Sequence, residues 1–122
     1  MIEADLFSHL SSTITAVGSR IYPLRAPENF TVPLIVYQVT GRVTDHTMDG
    51  GVTLYTTTKF QIDVYASTYD QAMTIGEQVI EAMASWTVPL FVHFDNELHL
   101  DEHTVEPNLF RIALDWSVTH NR

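Results

Sequence analysis

Apolar residues along the first stretch of the chain recur at helical spacing. Leu6, Leu10, Ile14 and Val17 form one stripe between about Ile2 and Val17, with Phe7 beside them. Glu3 and Asp5 fall in the first turn, where negative charge suits the helix dipole, and Gly18 is a natural stop. The next stretch, RIYPLRAPENFTVPLIVYQ, carries Pro23, Pro27 and Pro33. Each proline fixes φ and lacks an N–H, which excludes a helix or a central strand before Pro33. Leu34–Thr40 is short, apolar and β-branched, and is expected to be a strand. Thr44–Gly51 has turn chemistry, with Asp49-Gly50-Gly51 as the reversal.

Leu54–Ala66 alternates, with Phe60, Ile62 and Val64 on one face and Lys59, Gln61 and Asp63 on the other, as in a half-buried antiparallel strand. Ser67 or Thr68 caps a second helix whose apolar face is Ala72, Ile75, Gly76, Val79, Ile80 and Met83, ending near Ser85. Trp86–Pro89 breaks it. Leu90–Leu100 reads as a strand interrupted near Asp95-Asn96, Glu106-Pro107-Asn108 as a turn, and Leu109–His120 as a strand of regular alternation. The expected fold is α+β: about four antiparallel strands, two helices packed on one face, order α-β-β-α-β-β, and an extended β-hairpin.

With 122 residues, 45% of them hydrophobic, the chain suits a single domain with its own core. The absence of cysteine removes disulfides and thiolate metal sites. A net charge of −9, with only 6 Lys and Arg, repels phosphate backbones and argues against specific nucleic-acid binding. No apolar run approaches the ~20 residues of a membrane span.

The chemistry-bearing residues do not assemble into a known motif. His93, Asp95, His99 and His103 lie among Glu97, Asp101 and Glu102, and a metal-dependent hydrolase using 93–103 is one reading. The spacing matches no established metal set, and a solvated acidic edge accounts for the same letters. No nucleophile elbow or phosphate loop is present, so no catalytic, cofactor-binding or metal residue is assigned. Tyr37, Tyr55 and Tyr65 are expected on a sheet face that nothing in the chain covers. Thr53, Thr56, Thr57 and Thr58 beside Tyr55 suit an exposed ribbon able to pair with another chain.

Four phrases, RIYPLRAP, PLIVYQ, KFQIDVYASTYDQA and LFRIALDWSV, occur in an order that resembles the tail completion family of long-tailed bacteriophages and prophages, the group related to tail terminators and head–tail joining proteins. The matching positions are Arg20, Ile21, Tyr22, Pro23, Ala26, Pro27, Pro33, Val36, Tyr37, Gln38, Phe60, Gln61, Asp63, Tyr65, Ala66, Thr68, Tyr69, Phe110, Arg111, Asp115, Trp116 and Val118. TDHTMDGGVTLYTT and HFDNELHLDEH match nothing diagnostic.

The resemblance implies one tail-completion-like domain over residues 1–122 and a structural virion protein, without enzyme activity or cofactor. It implies a ring of subunits, usually a hexamer, that stops tail-tube polymerisation and docks the head connector. The implied partners are further copies, the tail-tube protein and the connector or stopper. No membrane is involved, and DNA passes through the ring. The implied location is the virion neck, after assembly in the host cytoplasm. The candidate interface residues are Arg20, Tyr22, Arg25, Tyr37, Thr53, Tyr55, Thr57 and Tyr65. Across that interface Arg20, Arg25 and Arg42 are expected to meet acids such as Asp45, Asp63 or Asp101 of the next subunit. The alternative is a small ferredoxin-like ligand-binding or regulatory domain, which also sets two helices on an antiparallel sheet.

Overall fold

The first helix, α1, spans Ile2–Thr13 and buries Ile2, Leu6 and Leu10. It stops four residues short of the expected Val17. The hydroxyls of Ser12 and Thr13 both donate to the His9 carbonyl, and such local bonds compete with a helical ladder. Ile14 and Val17 still reach the core through tight turns, and Gly18 takes φ 59°, the left-handed value expected of a helix-ending glycine. This computed structural model describes residues 2–121 apart from 16, 19, 28–30, 47–52, 90 and 103–108.

Part of the proline connector is a strand, which corrects the expected count of four. β1 (Ile21–Pro23) runs parallel to β2 (Leu34–His46), pairing Ile21 with Ile35 and Pro23 with Tyr37. The two are laced by Ile35 N–H to the Arg20 carbonyl and Leu24 N–H to the Tyr37 carbonyl, both 2.9 Å. Proline is tolerated because β1 is an edge strand and needs no outward donor. The sheet is therefore mixed, with five strands in the order β1-β2-β3-β5-β4, where β3 is Thr53–Ala66, β4 is Phe91–Glu102 and β5 is Leu109–Asn121.

β2 also outruns its expected end, because Thr44–His46 continues as strand rather than turn. An irregularity between Val39 and Gly41 shifts the register by one residue, which breaks the alternation without ending the strand. A second bulge, between Phe94 and Asn96, is the irregularity expected in β4 near Asp95-Asn96. The expected turns at Asp49-Gly50-Gly51 and Glu106-Pro107-Asn108 lie outside the described residues.

α2 (Tyr69–Ala84) begins at Thr68, whose side chain accepts from Gln71 N–H at 3.2 Å, so Thr68 rather than Ser67 is the cap. Its buried face matches the expected one at Ala72, Ile75, Gly76, Val79 and Met83, with Ile80 only partly buried. One cluster joins the buried residues of both helices to Ile35, Phe60, Ile62, Val64, Ile112, Leu114, Trp116 and Val118. Each large side chain so buried contributes about 1.5–3 kcal/mol.

Candidate assembly surface

Strand register sorts the side chains into two faces. The odd positions of β3 and β5, with their neighbours, fall on the face turned away from the core cluster. One row across it reads Tyr22, Val36, Asp63, Ala113, Leu98, taking one residue from each strand. The next rows are Leu34, Tyr65, Arg111 and then Gln38, Gln61, Asp115, Asn96. The centre is shielded although no helix residue of the core cluster lies there. Asp63, Val36, Ala113 and Leu34 are all at most 5% exposed.

A charged pair holds that centre. Arg111 Nη2 donates to Asp63 Oδ2 at 3.0 Å, and its guanidinium lies 5.8 Å from the Tyr65 ring centroid. Gln38 donates to Gln61 at 2.8 Å in the neighbouring row. The Asp63–Arg111 pair escaped the reading of the sequence, which set Asp63 on this face but did not bring Arg111 beside it. The signal was the register, with Asp63 opposite Ala113 and Arg111 two pairs along, the next position on the same face.

Tyr37 is the clear correction among the tyrosines. It falls on the helix-covered face, 9% exposed, and packs against Phe7 with ring centroids 6.3 Å apart. Its hydroxyl ionises above the usual tyrosine value because it is buried and, secondarily, because Glu3 is near. Tyr55 and Tyr65 lie on the uncovered face as expected, Tyr55 exposed and Tyr65 half-buried. Thr57 bonds Thr119 across the strands at 3.0 Å, and Thr53 opens β3 opposite His46.

The basic residues are partly committed within the chain. Arg20 Nε donates to the Pro33 carbonyl at 2.8 Å, bracing the two ends of the connector. Arg42 bridges Glu3 of α1 at 2.6 Å and the hydroxyl of buried Thr58 at 3.0 Å, and Thr58 in turn meets His120 Nε2 at 2.8 Å. Asp63 is buried and held by Arg111, so the expectation that it meets a cation of the next subunit is corrected. Arg25 is exposed. Beside it Leu24, 71% exposed, has φ 68°, and Arg25 N–H closes a three-residue turn onto the Pro23 carbonyl at 2.7 Å.

The β4 bulge divides those residues of the metal reading that are described, while His103 lies outside them. In an uninterrupted strand His93, Asp95, Glu97 and His99 would share a face. The extra residue instead leaves His93 and Asp95 on the uncovered face, 2.7 Å apart, where Asp95 also accepts from Ser117 at 2.6 Å. Glu97 and His99 turn to the helix side, where His99 meets the Tyr69 hydroxyl at 2.7 Å. No group of three or more potential metal ligands converges among the described residues. A shallow cleft of about 290 Å³ between α1 and the end of α2 is lined by Asp5, Ser8, His9, Ser12 and Trp86. His9 is occupied there, donating to the Ala82 carbonyl at 2.6 Å and stacking on Trp86.

The model of the family described as "Tail completion protein gp17" matches residues 4–119. The chain belongs to that family. Its members are structural proteins of phage tails, which accords with the ordered phrases from Arg20 to Val118. No curated protein matches the sequence. Among solved structures, a chain from a structure titled "Virion of native gene transfer agent (GTA) particle" aligns with a TM-score of 0.69 at 15% identity. The alignment covers 99% of this chain and 95% of that one, so this tail completion protein shares its fold from end to end.

Proposed function

We propose that this tail completion protein works as a ring of subunits, a hexamer in the virion, at the end of the tail tube. There it stops polymerisation of the tube and forms the docking surface for the head connector. The observation that carries the reading is the family match over residues 4–119. The shared fold with a chain of a gene transfer agent virion supports a place within a particle. The proposed place is the neck, reached after assembly in the host cytoplasm. The partners are further copies of the chain, the tail-tube protein and the connector or stopper, with DNA passing through the ring and no catalytic step. Exposed Arg25, half-buried Tyr22 and Tyr65, and the Thr53–Tyr55–Thr57 ribbon are the contact candidates, with Arg20 bracing the connector that presents the first two.

Deletion of the gene in its phage or prophage tests this directly. The expected products are separate heads together with tails that are unfinished or abnormally long, seen by electron microscopy. Normal joined particles would refute the proposal. In the genome, the gene should lie between those for the connector and the tail-tube protein.

A further inference from the structure

The two outer flanks of the sheet are unequal in charge and alike in being open. On one flank β4, Phe91–Glu102, has a strand partner on one side only among the described residues. On the other flank β1 covers β2 only at Ile35, Val36 and Tyr37, so among the described residues the outer edge of β2 from Gln38 to His46 is likewise without a strand. Unpaired edges are templates for another strand, and natural proteins usually shorten, charge or cover them. Here the exposed large apolar side chains gather on the same two flanks. Leu24, Val39 and Val43 lie along β1 and β2, and Phe91, Phe94 and Leu98 along β4, together six of the ten exposed large hydrophobics among the described residues.

Charge separates the flanks. β4 carries Asp95, Glu97, Asp101 and Glu102, with His93 and His99 between them and no Lys or Arg. The β1–β2 flank carries Arg20, Arg25 and Arg42, three of the six Lys and Arg in the chain. Two β4 edges brought together would set acid against acid, whereas the Gln38–His46 edge carries one cation, Arg42, already bridged to Glu3, and one anion, Asp45, so β4 meets no net like charge there. Topology agrees. β2 and β5 run one way, β3 and β4 the other, so continuing the sheet from β4 of one copy to β2 of the next gives an antiparallel ladder.

We propose that β4 of one subunit pairs with the free Gln38–His46 edge of β2 in the next, in a head-to-tail interface that continues the sheet from copy to copy. The pairing rests on the ring reading above and names the surfaces that such a ring would join. It is heterologous, since different patches of each copy meet, and it closes where the rotation between copies allows. β1 sets its limit, because the incoming strand must stop where Pro23 occupies the edge.

The chain lacks cysteine, so introduced thiols are unique. Val43 and Leu98, 55% and 46% exposed, lie on the same uncovered face of β2 and β4. Val43→Cys, Leu98→Cys and the double variant are treated with a short bismaleimide at high protein concentration, and native mass spectrometry follows the oligomeric state. Unchanged thermal melting before treatment certifies the fold. A mixture of the two single variants should yield cross-linked dimer about tenfold above either variant alone, because a head-to-tail contact never brings two like positions together. The double variant should give a ladder of longer products. Cross-linking of either single variant with itself at the same yield overturns the pairing. Oligomers without any Val43→Cys to Leu98→Cys cross-link overturn the pairing and leave the ring standing. A chain that stays monomeric at every concentration overturns both.

Discussion

Arg111 on β5 reaches the carboxylate of Asp63 on β3 at 3.0 Å, at a point where the aspartate side chain is 4% exposed and the arginine 23%. Removing the cation takes a charge partner from a buried carboxylate. Arg111→Ala is therefore expected to cost about 3 kcal/mol, the lower end for a buried pair because the arginine still touches water. Replacing both partners, as Asp63→Leu with Arg111→Met, should recover most of the loss. Urea unfolding of the single and double variants measures it, and a double variant no better than Arg111→Ala would deny the pair its role.

Leu24 sits at φ 68° with its side chain mostly in solvent. A non-glycine residue there pays for its backbone without gaining burial in the isolated chain. Leu24→Gly should raise the stability of the monomer by about 0.5–1 kcal/mol, after the entropy that glycine adds to the unfolded chain. Assembly should weaken in the same variant if the leucine meets a neighbour. Thermal melting and sedimentation, read together, separate the two effects.

Gly76 lies inside α2, and a Cβ built there would stand 3.7 Å from the Ile112 side chain, an ordinary contact. The helix loses propensity at that position without needing the space. Gly76→Ala should be stabilising by up to about 1 kcal/mol, the difference between the two residues in a helix interior. A lower melting temperature would mean that helix and sheet lie closer than 3.7 Å implies.

Acid should weaken the hold of Asp95 on β4 and β5 slightly. Burial alone would raise the pKa of Asp95, but hydrogen bonds from Ser117 and His93 and the nearby His93 and Lys59 charges hold it below the ordinary 3.8. A carboxylate with a depressed folded-state pKa adds stability above its unfolded value, and that stability disappears as pH falls through the folded one. The wild type should thus lose a small increment, a few tenths of a kcal/mol for so exposed a group, as the pH drops below about 4. In Asp95→Asn the acid limb of the stability curve should be flatter. Equal slopes in the two proteins would show that the pair contributes nothing.

Long regular alternation was legible without coordinates. Phe60–Ile62–Val64 and Ile112–Leu114–Trp116–Val118 occupy the core face that their period of two assigns them, because β3 and β5 pair without a register shift. The outer strands were harder. A single extra residue at Thr40 and another at Asp95 reverse the phase of everything beyond them, and nothing local in either stretch announces a bulge. Tyr37 was misplaced for a related reason. LIVY is apolar on both sides, since Leu34 and Val36 are buried on one face while Ile35 and Tyr37 are buried on the other, so alternation could not say which face the tyrosine takes. The short β1 was hidden by its prolines, and the Asp63–Arg111 pair joins residues 48 positions apart. The candidate surface was legible as a family phrase, whereas the charge difference between its flanks appears only once the strand order is known.

Strand order also bears on time. β2 with β3, and β4 with β5, are sequence neighbours that pair antiparallel, and each can zip up as a hairpin within microseconds. The seam between them is the β3–β5 ladder, which joins Tyr55 to Asn121 and Ala66 to Phe110 across the whole of α2. Closing that seam encloses the longest loops in the sheet, and such contacts repay their entropy only after they form. Docking of two preformed hairpins, rather than the making of either, is the slow event in this topology, and until it happens both β3 and β5 stand bare in the middle of what will become the sheet.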